Sequence, residues 1–99
     1  MISRQWRGLA KAARAEEYVG HLRKDTFPGL EKIPEFVDAT ILRRTIDRGV
    51  EFLIVTRWTS LEAIRKFAGN DAETAVVPAN VHRMMIEYDD RVRHFEVVE

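Results

Sequence analysis

Ninety-nine residues, 45% of them hydrophobic, suit one domain spanning residues 1–99 with a small core, and 16 basic against 16 acidic side chains argue against nonspecific binding of nucleic acid or an anionic membrane surface. The absence of cysteine excludes a disulfide framework, thiolate metal ligands and a cysteine nucleophile. The N-terminal stretch Met1 to Arg7 lacks an apolar signal segment, and no apolar run approaches the roughly 18 residues of a membrane span, so a cytoplasmic protein is expected.

Ile2 to Leu9, with Trp6 near its centre, reads as a first strand. Lys11 to Thr26 follows, with Ala15, Tyr18, Val19 and Leu22 at helical spacing, which predicts an amphipathic helix facing a core. Phe27-Pro28-Gly29 is expected to end it, because proline cannot continue the ladder and glycine permits the turn. Phe36 to Ile46 and Val50 to Trp58 are two β-rich runs around Asp47-Arg48-Gly49, and they predict a hairpin. Thr59 with Glu62 three residues on has the form of a capping box, opening a second helix whose inward stripe is Leu61, Ile64, Phe67 and Ala68 and whose stop is Gly69. Asn70 to Val77 carries no clear pattern. Pro78 suits the first turn of a third helical stretch, Ala79 to Tyr88, with Val81, Met84 and Met85 inward. Arg91 to Val98 alternates as a last strand with Val92, His94, Glu96 and Val98 on one side.

The two principal helices fall between strands one and two and between strands three and four, which predicts an α+β chain of ferredoxin-like β-α-β-β-α-β plan with an antiparallel sheet. Both helices cover one sheet face. The other stays open, and two such faces packed together would make a dimeric α+β barrel, so a homodimer is expected of so small a domain.

The residues with chemical potential are few. His21 borders the first helix's buried stripe, and an imidazole titrating near ~6.5 suits proton abstraction near neutrality, unless it is simply a half-exposed helical histidine. His94, on the last strand, is either a pocket residue or a partnered histidine of the core or a dimer interface. Twelve arginines outnumber four lysines, and Arg43 on the second strand would offer an oxyanion site if it points inward, whereas Asp38 and Glu51 offer Arg43 and Arg57 ordinary cross-strand partners. Trp58 either stacks on a flat ligand or wedges strand against helix, and the Tyr18 hydroxyl could reach a ligand oxygen from the rim of the core. No histidine pair has metal-ligand spacing, so no metal is expected. No catalytic Ser–His–Asp order, phosphate-binding glycine loop or RNA-stacking aromatic run is present.

Several stretches resemble the antibiotic-biosynthesis-monooxygenase-like family: Phe52-Leu53-Ile54-Val55-Thr56-Arg57-Trp58, Ser60-Leu61-Glu62-Ala63-Ile64, Phe67-Ala68-Gly69, the Phe27-Pro28-Gly29 turn, and the closing run Val92 to Val98. The resemblance implies a dimeric α+β barrel and, in one branch, oxygenation of an aromatic or polyketide-like molecule with no metal or flavin. In that chemistry the substrate anion itself reduces O₂. His21 or His94 would then be the base, Arg43 the oxyanion partner, and Tyr18, Trp58 and Phe67 the pocket wall. The family's haem-degrading branch has an Asn on the first strand, a Trp late in the second helix and a His soon after. This chain lacks that Asn, has Phe67 at the Trp position and Ala75-Val76-Val77 where the His would fall, leaving only His82 beyond Pro78. The haem branch is therefore set aside unless His82 supplies a ligand. A non-catalytic barrel that binds a hydrophobic ligand or a protein is the alternative.

Overall fold

The computed structural model describes all 99 residues, Met1–Glu99. Strand β1 (Ile2–Ala10) leads through a 3-10 turn (Ala12–Arg14) into helix α1 (Ala15–His21), a π turn (Leu22–Thr26) and helix α2 (Phe27–Glu31). The hairpin β2 (Phe36–Ile46) and β3 (Gly49–Trp58) follows, then α3 (Leu61–Ala68), a short α4 (Ala79–His82), β4 (Met85–Tyr88) and β5 (Arg93–Glu96).

The sheet is antiparallel throughout, in the order β2-β3-β1 with β1 completed on its far side by β4 and β5. β1 pairs with β3 from Ile2 opposite Trp58 to Ala10 opposite Val50. β4 lies against Gly8 to Ala10 and β5 against Ile2 to Gln5, so the two run end to end as one edge interrupted between Asp89 and Val92. That interruption pairs elsewhere. Val92 N–H donates to Glu73 C=O at 2.8 Å and Ala75 N–H to Asp90 C=O at 2.9 Å, which fastens the segment after α3 onto the gap.

Alternation decides the faces. On β3, Val50, Phe52, Ile54, Thr56 and Trp58 are all buried beneath the helices, while the residues between them are half-buried on the open face. One core cluster packs Tyr18, Val19 and Leu22 against Phe52, Ile54, Val81, Met84 and Met85. A second gathers Leu30, Trp58, Ala63, Ile64 and Ala72 beneath α3.

The expected plan holds, with four local differences. The first helix does not stop at Phe27-Pro28-Gly29. A proline ring clashes with the carbonyl four residues back, and the widened π turn lies across Lys24, where that clash would fall, so Pro28 sits in the first turn of α2 and the helix continues to Glu31. Thr59 is not the cap of α3. Its hydroxyl donates to Glu35 at 2.9 Å, and Ser60 caps the helix by accepting from Ala63 N–H. The third helical stretch is one turn, after which Met85 to Tyr88 joins the sheet against β1. Met84 and Met85 are buried as expected, but tertiary pairing overrides the helical spacing. The last strand is shorter than Arg91 to Val98, because Arg91 and Val92 turn to the segment after α3.

Gly49 opens β3 with φ +156°, and a Cβ there would lie 2.3 Å from the Ala10 carbonyl oxygen. Gly49→Ala is expected to open the end of the β1–β3 pairing and destabilise the fold by about 2–4 kcal/mol, read from urea unfolding.

Candidate functional site

Where the two core clusters meet, a cavity of about 70 Å³ opens between the helices and the sheet. Its wall is mostly apolar and aromatic: Trp6 from β1, Tyr18 and Leu22 from the first helix, Phe27 and Leu30 from α2, Ile54 from β3, and Phe67 from α3. Val76, Val77 and Pro78 border it from the segment before α4. The polar side chains on it are Arg4, His21, Thr26, Thr56 and the Tyr18 hydroxyl. Trp6 lies back over Gly8, where a Cβ would sit 2.4 Å from the indole ring, and its Nε1–H donates to Asp89 C=O at 2.9 Å. The indole is thus held against the strand, its centroid 6.1 Å from that of the Tyr18 ring.

Arg4 is the one charged side chain buried in the fold, at 5% exposure. β1 alternation puts it on the helix-covered face with Trp6, opposite Thr56 on one side and His94 on the other. Its Nη1 donates to Ala72 C=O, its Nη2 to Thr74 C=O at 2.9 Å, and Nη1 also lies 3.0 Å from His94 Nε2. The Phe67 ring covers the guanidinium, with Cζ 5.6 Å from the ring centroid. No carboxylate pairs with it. Burial draws its pKa down to about 10, which still leaves it fully charged at neutral pH.

Arginine can only donate, so His94 Nε2 accepts and the His94 proton resides on Nδ1. Burial first, and the adjacent Arg4 charge second, hold the His94 pKa below the ordinary 6.5, with Glu73 opposing weakly. His94 is therefore neutral at pH 7.

His21 is 8% exposed at its side chain and stands on the cavity wall, its ring stacked toward Tyr18 at 6.4 Å. Thr26 Oγ1 lies 3.1 Å from Nε2 across the π turn, five residues on, and Asp25 Oδ2 lies 3.3 Å from Nδ1, with Asn80 Nδ2 at 3.4 Å. A carboxylate can only accept and an amide nitrogen only donate, so Asp25 favours a proton on Nδ1 whereas Asn80 Nδ2 favours a lone pair there; with the charged Asp25 as partner, Nε2 accepts from the Thr26 hydroxyl. Tyr18 makes no hydrogen bond through its hydroxyl, and no side-chain polar atom of the fold is both buried and unpartnered, so that hydroxyl keeps open space before it. Burial raises its pKa far above the ordinary tyrosine value and keeps it protonated.

Of the residues singled out from the sequence, the structure brings His21, Tyr18 and Phe67 to the cavity and sets His94 behind Arg4. Trp58 does not line it. That indole is fully buried between Phe36 and Phe67, with Nε1–H donating to Thr56 Oγ1 at 2.9 Å, so it wedges strand against helix. Arg43 lies outside, on the helix-side surface of β2, paired with Glu16 at 2.6 Å. Arg57 pairs with Asp38 across the hairpin. Arg4 and Trp6 were not singled out, although β1 alternation sets them on one face. His82 donates through Nε2 to Val77 C=O at 3.0 Å and meets the Tyr88 hydroxyl, exposed and off the cavity. Neither it nor His21, both of whose nitrogens have protein neighbours, nor His94, beside a cation, presents a free nitrogen to a haem iron. The donor set does not fit haem ligation, and His82 does not rescue that reading.

Imidazole NMR titration is expected to place His94 below 6.5, and Arg4→Met to raise it only in part, since burial is the larger cause. The linkage has one sign. Between the ordinary value and the lower folded one, the unfolded chain binds the extra proton, so His94 contributes stability that falls as pH is lowered through that window.

No protein-family model matches the sequence, and no curated protein does. Solved structures do. A Bacillus cereus protein described as a candidate antibiotic biosynthesis monooxygenase superposes with a TM-score of 0.67 at 19% identity, covering 100% of this chain and 94% of that one. A mutant of MhuD, solved with two manganese protoporphyrin IX molecules per active site, superposes with a TM-score of 0.69 at 20% identity, covering 100% and 96%. At that identity the likeness is one of architecture: this chain has the ferredoxin-like α+β fold of the antibiotic-biosynthesis-monooxygenase-like proteins.

Proposed function

We propose that the protein is a cofactor-independent, monooxygenase-like enzyme that takes a small aromatic phenol or hydroquinone into the Arg4–His21 cavity. The observation that carries this reading is a charged guanidinium on an apolar, aromatic wall that also bears a histidine whose Nε2 is reached through the Thr26 hydroxyl. Arg4 takes the oxyanion role that the family resemblance implies for Arg43, because Arg43 is spent on Glu16 outside the cavity.

His21 Nε2 removes the phenolic proton, with Thr26 beside it as relay and Asp25 stabilising the imidazolium. Arg4 stabilises the resulting phenolate in a poorly solvated site, where a fixed cation is worth far more than in water. The phenolate gives one electron to O₂, the aryloxyl radical and superoxide combine at ring carbon, and the peroxide loses water. A phenol with a hydrogen on that carbon and one O₂ give one quinone and one water, so atoms and electrons balance. Tyr18 and Trp6, tilted toward each other on the wall, give the ring an apolar surface.

Purified protein supplied with anthrols, quinols and flavonols in air is expected to consume one O₂ per substrate. His21→Ala should lower kcat by about 10²–10⁴-fold, as loss of a general base does. Absence of both O₂ uptake and binding for every one of these compounds would sink the proposal. A second reading is a non-catalytic barrel, supported by the engagement of both His21 nitrogens with protein groups. It requires a ligand shift in Trp6 fluorescence without turnover, unchanged by His21→Ala and His94→Ala.

The homodimer belongs to the same proposal. Leu42 and Phe95, 48% and 49% exposed, lie with Leu53 and Val55 on the sheet face away from the helices. Such a patch suits burial against a second copy. Sedimentation is expected to give a dimer that Leu53→Asp converts to monomer; a monomeric wild type at high micromolar concentration would contradict it.

A further inference from the structure

The Arg4 charge is incomplete within the protein. Eight other arginines have carboxylate partners, namely Arg7, Arg14, Arg43, Arg44, Arg48, Arg57, Arg65 and Arg91. All eight are more exposed than Arg4 and can be solvated. Arg4, the buried one, has only neutral acceptors: two backbone carbonyls and an imidazole. Taking an unpaired cation out of water is costly, and a fold that retains one beside an aromatic cavity leaves a strong preference for an anion there.

The donor inventory says which anion. A guanidinium has five N–H groups. Both on Nη1 and one on Nη2 are used, which leaves Nε–H and one Nη2–H without a protein acceptor. Nε and Nη2 are the side-on edge of the guanidinium, whose two parallel donors match the two oxygens of a carboxylate. Phe67 over the guanidinium, with Trp6 and Tyr18 further along the wall, provides apolar surface for a flat ring adjoining that carboxylate.

We propose that the cavity is an aromatic-acid site, in which the side-on edge of Arg4 receives the ligand's carboxylate and Phe67, Trp6 and Tyr18 hold its ring. This deepens the oxygenase reading, since it makes the substrate a phenolic acid whose carboxylate takes the two free Arg4 donors and leaves the cation to act on the phenolate through its charge alone; it rests on that reading only for the use of the same cavity. Binding needs no turnover.

The test uses isothermal titration of the full chain at pH 7 with 2-naphthoate and with its uncharged methyl ester. The acid is expected to bind at least tenfold more tightly than the ester. Arg4→Met should abolish that preference, and Arg4→Lys, which keeps the charge but not the fork, should retain only part of it. The comparison on wild-type protein stands whichever variant folds. Equal affinity for acid and ester, a preference that persists in a folded Arg4→Met, or no binding of either probe overturns the proposal. Acid preference without O₂ uptake on any phenolic acid would leave this site standing and remove the oxygenase reading alone.

Discussion

The buried Arg4 guanidinium is the constraint around which the rest of this fold is arranged. A guanidinium charged at neutral pH needs partners for its five donors and its faces, and three different parts of the chain supply acceptors for three of those donors and a ring over one face. Ala72 and Thr74 bring the carbonyls of the segment after α3, His94 brings β5, and Phe67 brings the end of α3. Each attachment has a second consequence. Holding residues 72–74 in place lets Glu73 and Ala75 pair with Val92 and Asp90, which is why the sheet edge splits into β4 and β5. It also carries Val76, Val77 and Pro78 to the cavity border. Holding His94 as an acceptor fixes its tautomer and keeps it neutral.

The architecture was legible where a single periodicity dominates. Ala15, Tyr18, Val19 and Leu22 are all buried as their helical spacing requires, and the hairpin forms with β2 at its expected bounds. Legibility failed where two signals compete. Met84 and Met85 fit a helical stripe, yet β1 offers unpaired backbone groups to Met85 and Tyr88, and the sheet wins. Thr59 and Ser60 are both good caps and both hydroxyls donate to Glu35, but only the Ser60 oxygen also accepts from Ala63 N–H, three residues on. At Pro28 a widened turn, invisible in the residue pattern, relieves the usual break.

The site was legible in part for a related reason. His21, Tyr18 and Phe67 border helical stripes, so their approach to the core could be read from spacing. Arg4 could not be weighed in the same way, because an arginine near a terminus ordinarily lies in solvent. The available signal was β1 alternation, which sets Arg4 with Trp6 and Gly8 on one face. Arg43 shows the converse: it is on the helix-side face of β2, but so near the sheet edge that it meets Glu16 at the surface. Trp58, expected on the pocket wall with a strand–helix wedge as the alternative, is fully buried and takes the wedge position.

Fold likeness alone does not carry chemistry, and one structural neighbour was solved with a metalloporphyrin while this chain offers no free imidazole to a haem iron. The feature of this chain that points to a ligand is the unpaired charge of Arg4. The most direct measurement is ¹⁵N NMR of the Arg4 Nε–H, which needs neither turnover nor a variant. On titration with 2-naphthoate at pH 7 that resonance is expected to move downfield and to become protected from exchange, with no such change for the methyl ester. An Nε–H that stays unmoved while other cavity signals shift would show that the buried charge serves the fold and not a ligand.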